Sequence, residues 1–267
     1  HLYVDGGAFV QALASQPNLP PGFFGLLPGG EAGSLGAAIT AEGDGVRLEG
    51  RAVGSEQVDV AASEPYEAEL VEEVPGGVLA FVSFNGLGEA LEGAGGAGLG
   101  MLGLDLEQIG SLFAGESAVY VRPGNPQPSI TLVTEVEDEV AALQTVEGLV
   151  GLADGARGAT IAYDAFDGLL AVSSSQEELD ALRGDGPRLD QDDAFEQAVE
   201  NAGLPDETAG FGYVDLQAAV PLFLGLAGPV GAEASEVDEY LEPLGSVVFW
   251  GARAGEVQRF SFFVGID

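Results

Sequence analysis

Cysteine and lysine are absent from this 267-residue chain, and histidine occurs once, at position 1. Without thiols there are no disulfides, no thiolate metal sites and no cysteine nucleophiles. A serine nucleophile needs an oriented base beside it. The lone His1 sits at a terminus, where little holds a side chain rigidly. The glycine-rich run 93–103 is not followed by the Lys-Ser/Thr pair of a phosphate-binding loop. Paired carboxylates remain as glycosidase-type candidates, but with 44 acidic residues some will be neighbours by chance. An enzyme is therefore not expected, and neither a cofactor nor a metal is called for. Long apolar runs are also missing: nothing reaches the 18 or more residues of a membrane-spanning helix.

What is present is acid and glycine. Forty-four Asp and Glu against eight basic residues give a formal charge of −36. Such a surface repels nucleic acid phosphates and anionic headgroups, so nucleic acid is excluded as a partner. The chain is nonetheless 46% hydrophobic, with a mean hydropathy of +0.21. A disordered acidic tail does not have that composition. The acid lies on the outside of something folded.

One pattern organises the chain. Gly210-Phe211-Gly212-Tyr213-Val214-Asp215 reads as an apolar strand that stops at a carboxylate and turns into the apolar helix Leu216 to Leu224. The same order appears at Leu2-Tyr3-Val4-Asp5 and at Val78 to Asn85. Each copy is followed by a glycine-rich link and a hairpin. The hairpins include Leu35–Thr40 with Val46–Val53 around an Asp-Gly turn, and Gly245–Trp250 with Val257–Val264. Further strands are expected at Ser117–Val121, Ser129–Val136, Thr160–Tyr163 and Leu169–Val172. Helices are expected over Ala8–Leu13, Tyr66–Val74, Leu104–Phe113, from Asp138, from Ser174 or Ser175 to Leu182, over Ala194–Ala202 and near Glu236–Leu241. The expected fold is α+β, with mostly antiparallel sheets, helices on one face and about three divergent strand-helix-hairpin units. These units are 1–75, 76–203 and 204–267, within one compact domain or two intertwined ones.

Several segments resemble the bacterial family labelled domain of unknown function 3352. They are Leu204-Pro205-Asp206-Glu207-Thr208 before Tyr213-Val214-Asp215, the Leu104-Asp105-Leu106-Glu107 helix before Gly115-Glu116-Ser117, the strand-to-helix passage Leu132 to Asp138, and Asp193-Ala194-Phe195 at a helix start. Together they span nearly the whole chain. The resemblance implies an exported or membrane-anchored protein, extracytoplasmic and without an established activity. The proline-led acidic lead is missing before the first copy, which implies that residues upstream of His1, any anchor among them, have been removed or left out.

Asp5, Asn85 and Asp215 end strands where helices begin, and capping of free helix N–H groups accounts for them. The cluster Asp190, Asp192, Asp193 and Glu196 lacks the glycine and the terminal glutamate of a calcium loop, and helix capping and dipole complementarity explain it. Two apolar, flexible stretches stand out, Phe23, Phe24, Leu26 and Leu27 in a proline-rich loop, and Met101 and Leu102 in the glycine-rich one. They suit a contact surface or the lining of a ligand pocket. The expected function is a non-catalytic cell-surface protein that associates with itself or with other surface proteins, through strand edges near both termini. The alternative is an extracytoplasmic carrier of an apolar small molecule or lipid.

Overall fold

The computed structural model describes residues 2–4, 34–53, 65–88, 106–124, 127–157, 161–226, 243–254 and 257–266. The strands are β1 (Leu2–Val4), β2 (Ser34–Glu42), β3 (Gly45–Val53), β4 (Ala80–Asn85), β5 (Glu116–Arg122), β6 (Ser129–Glu135), β7 (Ala162–Phe166), β8 (Leu169–Ser173), β9 (Gly210–Asp215), β10 (Leu244–Ala254) and β11 (Val257–Ile266). The helices are α1 (Leu106–Leu112), α2 (Glu139–Arg157), α3 (Gln176–Arg183), α4 (Asp193–Ala202) and α5 (Leu216–Leu226). The helices expected at Ala8–Leu13 and Glu236–Leu241 lie outside the described residues, as does Asp5.

All eleven strands form one sheet in the order β1-β2-β3-β11-β10-β9-β4-β5-β6-β8-β7, and every neighbouring pair is antiparallel. The α+β class with antiparallel pairing is thus the observed one. Short turns set the registers. The β7–β8 hairpin closes through Asp167 (φ 52°) and Gly168 (φ 79°), two consecutive left-handed residues whose twist matches that of the flanking strands. The β2–β3 hairpin turns at Gly43-Asp44.

Segments from the two ends of the chain meet inside the sheet. β3 pairs with β11 from Val53↔Val257 to Gly45↔Gly265. β11 is therefore an interior strand, which corrects the expectation that Val257–Val264 offers a free edge. Its second row of backbone groups is taken up by the N-terminal hairpin. Among the described strands, the sheet ends at β1 and β7.

Side-chain alternation separates two faces. One carries Phe81, Tyr120, Val133, Tyr213, Val248 and Phe263, all at most 2% exposed. They pack with Leu179 and Leu182 of α3 and with Phe195, Ala198 and Ala202 of α4. Intervening residues point the other way, where Leu170 packs with Ala142 and Val146 of α2 and Leu112 of α1. Helices thus cover both faces at this end of the sheet rather than one. The physical reason is that β8 is apolar at successive positions, with Leu169, Leu170 and Ala171 all buried, and each face needs its own cover.

α4 forms where its caps place it. Asp192 Oδ1 accepts from the Ala194 amide (3.0 Å), and Gly203 closes the helix with φ 59°, a conformation glycine adopts without a Cβ penalty. Asp138 Oδ1 likewise accepts from the Val140 and Ala141 amides at the start of α2. Ser175 occupies the N-cap position of α3 without a side-chain capping bond, while the Ser174 hydroxyl accepts from the Ile130 amide.

The segment Tyr66–Val74 is not the expected acidic helix. It holds a single 3-10 turn, Leu70–Glu72. Tyr66 exchanges backbone hydrogen bonds with Thr208 (2.9 and 3.0 Å), and the Leu189 amide donates to the Val74 carbonyl (2.8 Å). Burial of Leu70 and Val74 and pairing with distant backbone override a helical preference that is weak to begin with.

Close packing of rings on glycine joins neighbouring strands. A Cβ at Gly212 would fall within the Phe249 ring, and one at Gly50 within the Phe260 ring. Gly212→Ala should therefore cost about 1–3 kcal/mol, the range for overpacking a filled site. Combining it with Phe249→Leu should recover part of that loss in a double-mutant cycle read by urea unfolding. Additive losses would place the strain elsewhere.

Candidate functional site

The six apolar residues singled out from the sequence, Phe23, Phe24, Leu26, Leu27, Met101 and Leu102, lie outside the described residues. The strand-end carboxylates and amide are placed more fully. Asp215 Oδ1 accepts from the Ala218 amide (2.9 Å), so it starts α5 as a cap. Asn85 behaves differently. Its Oδ1 accepts from the amide of the next residue, Gly86 (2.7 Å), and Gly86 has φ 71°, so Asn85 fixes a tight turn. In the acidic cluster, Asp192 caps α4 with one oxygen and takes the Gly77 amide (2.9 Å) with the other. Among the described residues, no group of three or more Asp, Glu, His or Cys is placed to hold a metal ion.

One cleft was not singled out from the sequence. A cleft of about 720 Å³ opens between the end of α1, the end of β6 and the first turns of α2. Ser111, Gly115, Glu135, Glu137, Asp138 and Thr145 are among the residues lining it. Two of its carboxylates are committed to backbone. Glu135 Oε2 accepts from the Glu116 amide (3.0 Å), and Asp138 caps α2. The Thr145 hydroxyl donates to the Ala141 carbonyl (3.0 Å).

Directly behind Glu135 lies Glu116, at the start of β5 and 4% exposed. Its Oε1 accepts from the Ser83 hydroxyl (2.6 Å), and its Oε2 accepts from the amides of Glu69 (2.7 Å) and Leu70 (3.0 Å). The Tyr66 hydroxyl and Ser83 Oγ are in turn 2.6 Å apart. One carboxylate therefore fastens the 65–76 segment to β4 and β5. Burial pushes the Glu116 carboxyl above the usual glutamate range and the charge of Glu135 adds to that, while the Ser83 hydroxyl and the Leu70 and Glu69 amides favour the charged form. With each oxygen bonded to a donor, Glu116 works as a staple and is not among the residues lining the cleft. A sequence signal exists in retrospect. Glu116, Ala118 and Tyr120 share one parity in the run Glu116-Ser117-Ala118-Val119-Tyr120, so a strand burying Tyr120 also turns the glutamate inward.

No protein-family model matches the chain, and no curated protein matches it significantly. Among solved structures, two crystal forms of a protein named TP0453 are similar. Form III is 14% identical, with 77% of this chain and 94% of that one covered and a TM-score of 0.36. For form IV the figures are 14%, 76%, 83% and 0.34. Overlap of that quality assigns neither fold nor function.

Removing the staple should be costly while neutralising it should not. Glu116→Ala leaves the buried Leu70 amide and the part-buried Glu69 amide without their acceptor, and should lose about 3 kcal/mol. Glu116→Gln keeps an acceptor for the amides and a donor toward Ser83, and should lose less than about 1 kcal/mol. The pH dependence carries a definite sign. A carboxyl whose folded pKa is raised contributes stability that is full below its unfolded pKa, about 4.3, and is lost as pH rises through its folded value. Relative to wild type, Glu116→Gln should therefore gain stability from acid pH toward neutrality. Urea unfolding at several pH values measures this, and parallel wild-type and Gln curves would refute it.

Proposed function

We propose that this is a non-catalytic exported protein of the bacterial cell surface that acts by association, through an apolar face of its sheet. One observation carries the reading. Across the sheet, side chains in register form a row from Ile39 through Leu48, Phe262, Phe249, Gly212, Val82, Val119 and Leu132 to Val172. Apart from the buried Gly212, each of these residues is partly or largely exposed, with Val172 packing against the α2 cluster. In the equivalent row on the opposite face every residue from Phe263 to Ser173 is buried, and only Thr40 and Arg47 are open to solvent. Ile39 (75% exposed), Val46 and Ile130 on the same face are among the large apolar side chains open to solvent. A contiguous apolar surface of this kind marks an interaction site. On a chain of charge −36, it is also where electrostatic repulsion is weakest.

Export and the extracytoplasmic setting rest on the resemblance to the domain of unknown function 3352 family. Among the described residues no helix is long and apolar enough to cross a membrane. The reading of the chain as three divergent units is supported by the order of its strands. β1-β2-β3, β4-β5-β6 and β9-β10-β11 each place a first strand beside a hairpin.

A second reading, the carrier of an apolar molecule, is favoured by the aromatic part of the same face. Phe249 and Phe262 stack at 6.4 Å with planes 15° apart, and with Phe260 they offer ring faces suited to a hydrocarbon chain. The two readings separate in native mass spectrometry combined with a surface variant. For association, wild type should exceed its 27.1 kDa monomer mass, and Ile39→Glu/Val46→Glu should return it to monomer with little change in Tm, since exposed substitutions usually act within about 0.5 kcal/mol. A 27.1 kDa species carrying extra apolar mass supports the carrier. A bare monomer at every concentration, with no partner retained, removes both.

A further inference from the structure

Three of the sheet's four hairpins have a strand beside their leading strand that precedes them in the chain: β1 beside β2, β4 beside β5 and β9 beside β10. The fourth hairpin, β7–β8, has none among the described residues, where β7 ends the sheet. Its outward groups follow from the turn. With two residues, Asp167 and Gly168, between the strands, Phe166 and Leu169 form the closing hydrogen-bonded pair. Alternation along an antiparallel ladder then turns the N–H and C=O groups of Tyr163 and Ala165 away from β8.

One of those outward donors is already taken. The Ala165 amide donates to Asp164 Oδ1 (2.8 Å). The other oxygen of that carboxylate is paired with Arg183 of α3, whose guanidinium carbon lies 4.8 Å from the centroid of the Phe166 ring. A carboxylate belonging to the edge strand thus covers its own edge, fixed by a cation that is itself seated on a ring of the same strand.

We propose that Asp164 is an autoinhibitory contact that keeps β7 from pairing with the β7 strand of a second copy of this chain. The occupant follows from the geometry. Two β7 strands related by a two-fold axis and centred on residue 164 place Tyr163 opposite the partner's Ala165, and the exposed N–H and C=O groups then match two by two. The sheet contains a junction of this type internally, where β4 and β9, each the first strand of its own segment, pair antiparallel from Ala80↔Val214 to Phe84↔Gly210. In the β7 dimer, Asp164 would directly oppose the partner's Asp164, where like charges are unfavourable. The residue therefore blocks pairing twice, as a plug on the Ala165 amide and as a charge on the axis. Charged side chains on a short edge strand are a general means of preventing such pairing. This inference does not depend on the apolar-face reading.

The test is light scattering over a concentration series. Asp164→Ala should double the mass relative to wild type under the same conditions. Asp164→Asn, nearly isosteric and uncharged, should also raise the dimer fraction. Adding Ala165→Pro to Asp164→Ala should restore the wild-type mass, because proline removes the outward N–H and leaves the β7–β8 ladder intact. The proposal fails if Asp164→Ala and Asp164→Asn, folded by circular dichroism, keep the wild-type mass at every concentration. It also fails if the mass doubles and Ala165→Pro does not reverse it, since the contact then lies elsewhere. Association through the apolar face shifts wild type and variants alike and does not imitate the expected difference.

Discussion

The antiparallel pairing of β4 with β9 is the contact on which the rest of the sheet depends. Six strands lie on one side of it and five on the other, so without it the molecule has two smaller sheets. Packing at this seam is aromatic. Phe81 lies 5.4 Å from Phe211, and Phe195 of α4 meets Phe211 at 6.4 Å and Tyr213 edge-on at 5.2 Å. Such pairs contribute about 0.5–1.5 kcal/mol each beyond the area they bury. They also fix α4 over the seam, so the helix and both half-sheets share one core.

Charge is distributed with the same economy. Several arginines and acids work on backbone groups as well as on one another. Arg47 donates to the Ala202 and Asn201 carbonyls at the end of α4, a favourable place for a cation at a helix C-terminus. That ties the N-terminal hairpin to the helix over the seam. Arg188 donates to the Glu73, Leu182 and Gly184 carbonyls. Glu116, Glu135, Asp138, Asp192 and Asp215 accept from amides.

How much of this was legible in the sequence depends on how local the cause is. The β7–β8 hairpin announces itself through its Asp167-Gly168 turn between apolar runs, the β2–β3 hairpin through the Gly43-Asp44-Gly45 run, and α4 through Asp192 before it and Gly203 after it. Tyr66–Val74 misled because its acidic, partly apolar composition suits a helix, whereas its geometry is set by Thr208, Arg188 and Leu189, more than a hundred positions away. Glu116 escaped notice for a related reason. One inward-facing glutamate in a strand becomes a staple only when the amides of Glu69 and Leu70 are brought to it.

The sequence by itself determined the α+β class, the antiparallel hairpins, the caps at Asp138, Asp192 and Asp215 and the acidic composition, because each follows from neighbours within a few residues or from composition. Tertiary structure alone decided that β11 is interior, that helices cover both faces at one end, that Glu116 is buried and that β7 is an edge closed by Asp164. Those outcomes hinge on which distant strands pair, and pairing is chosen by the shared burial of whole faces, a property that no single segment carries.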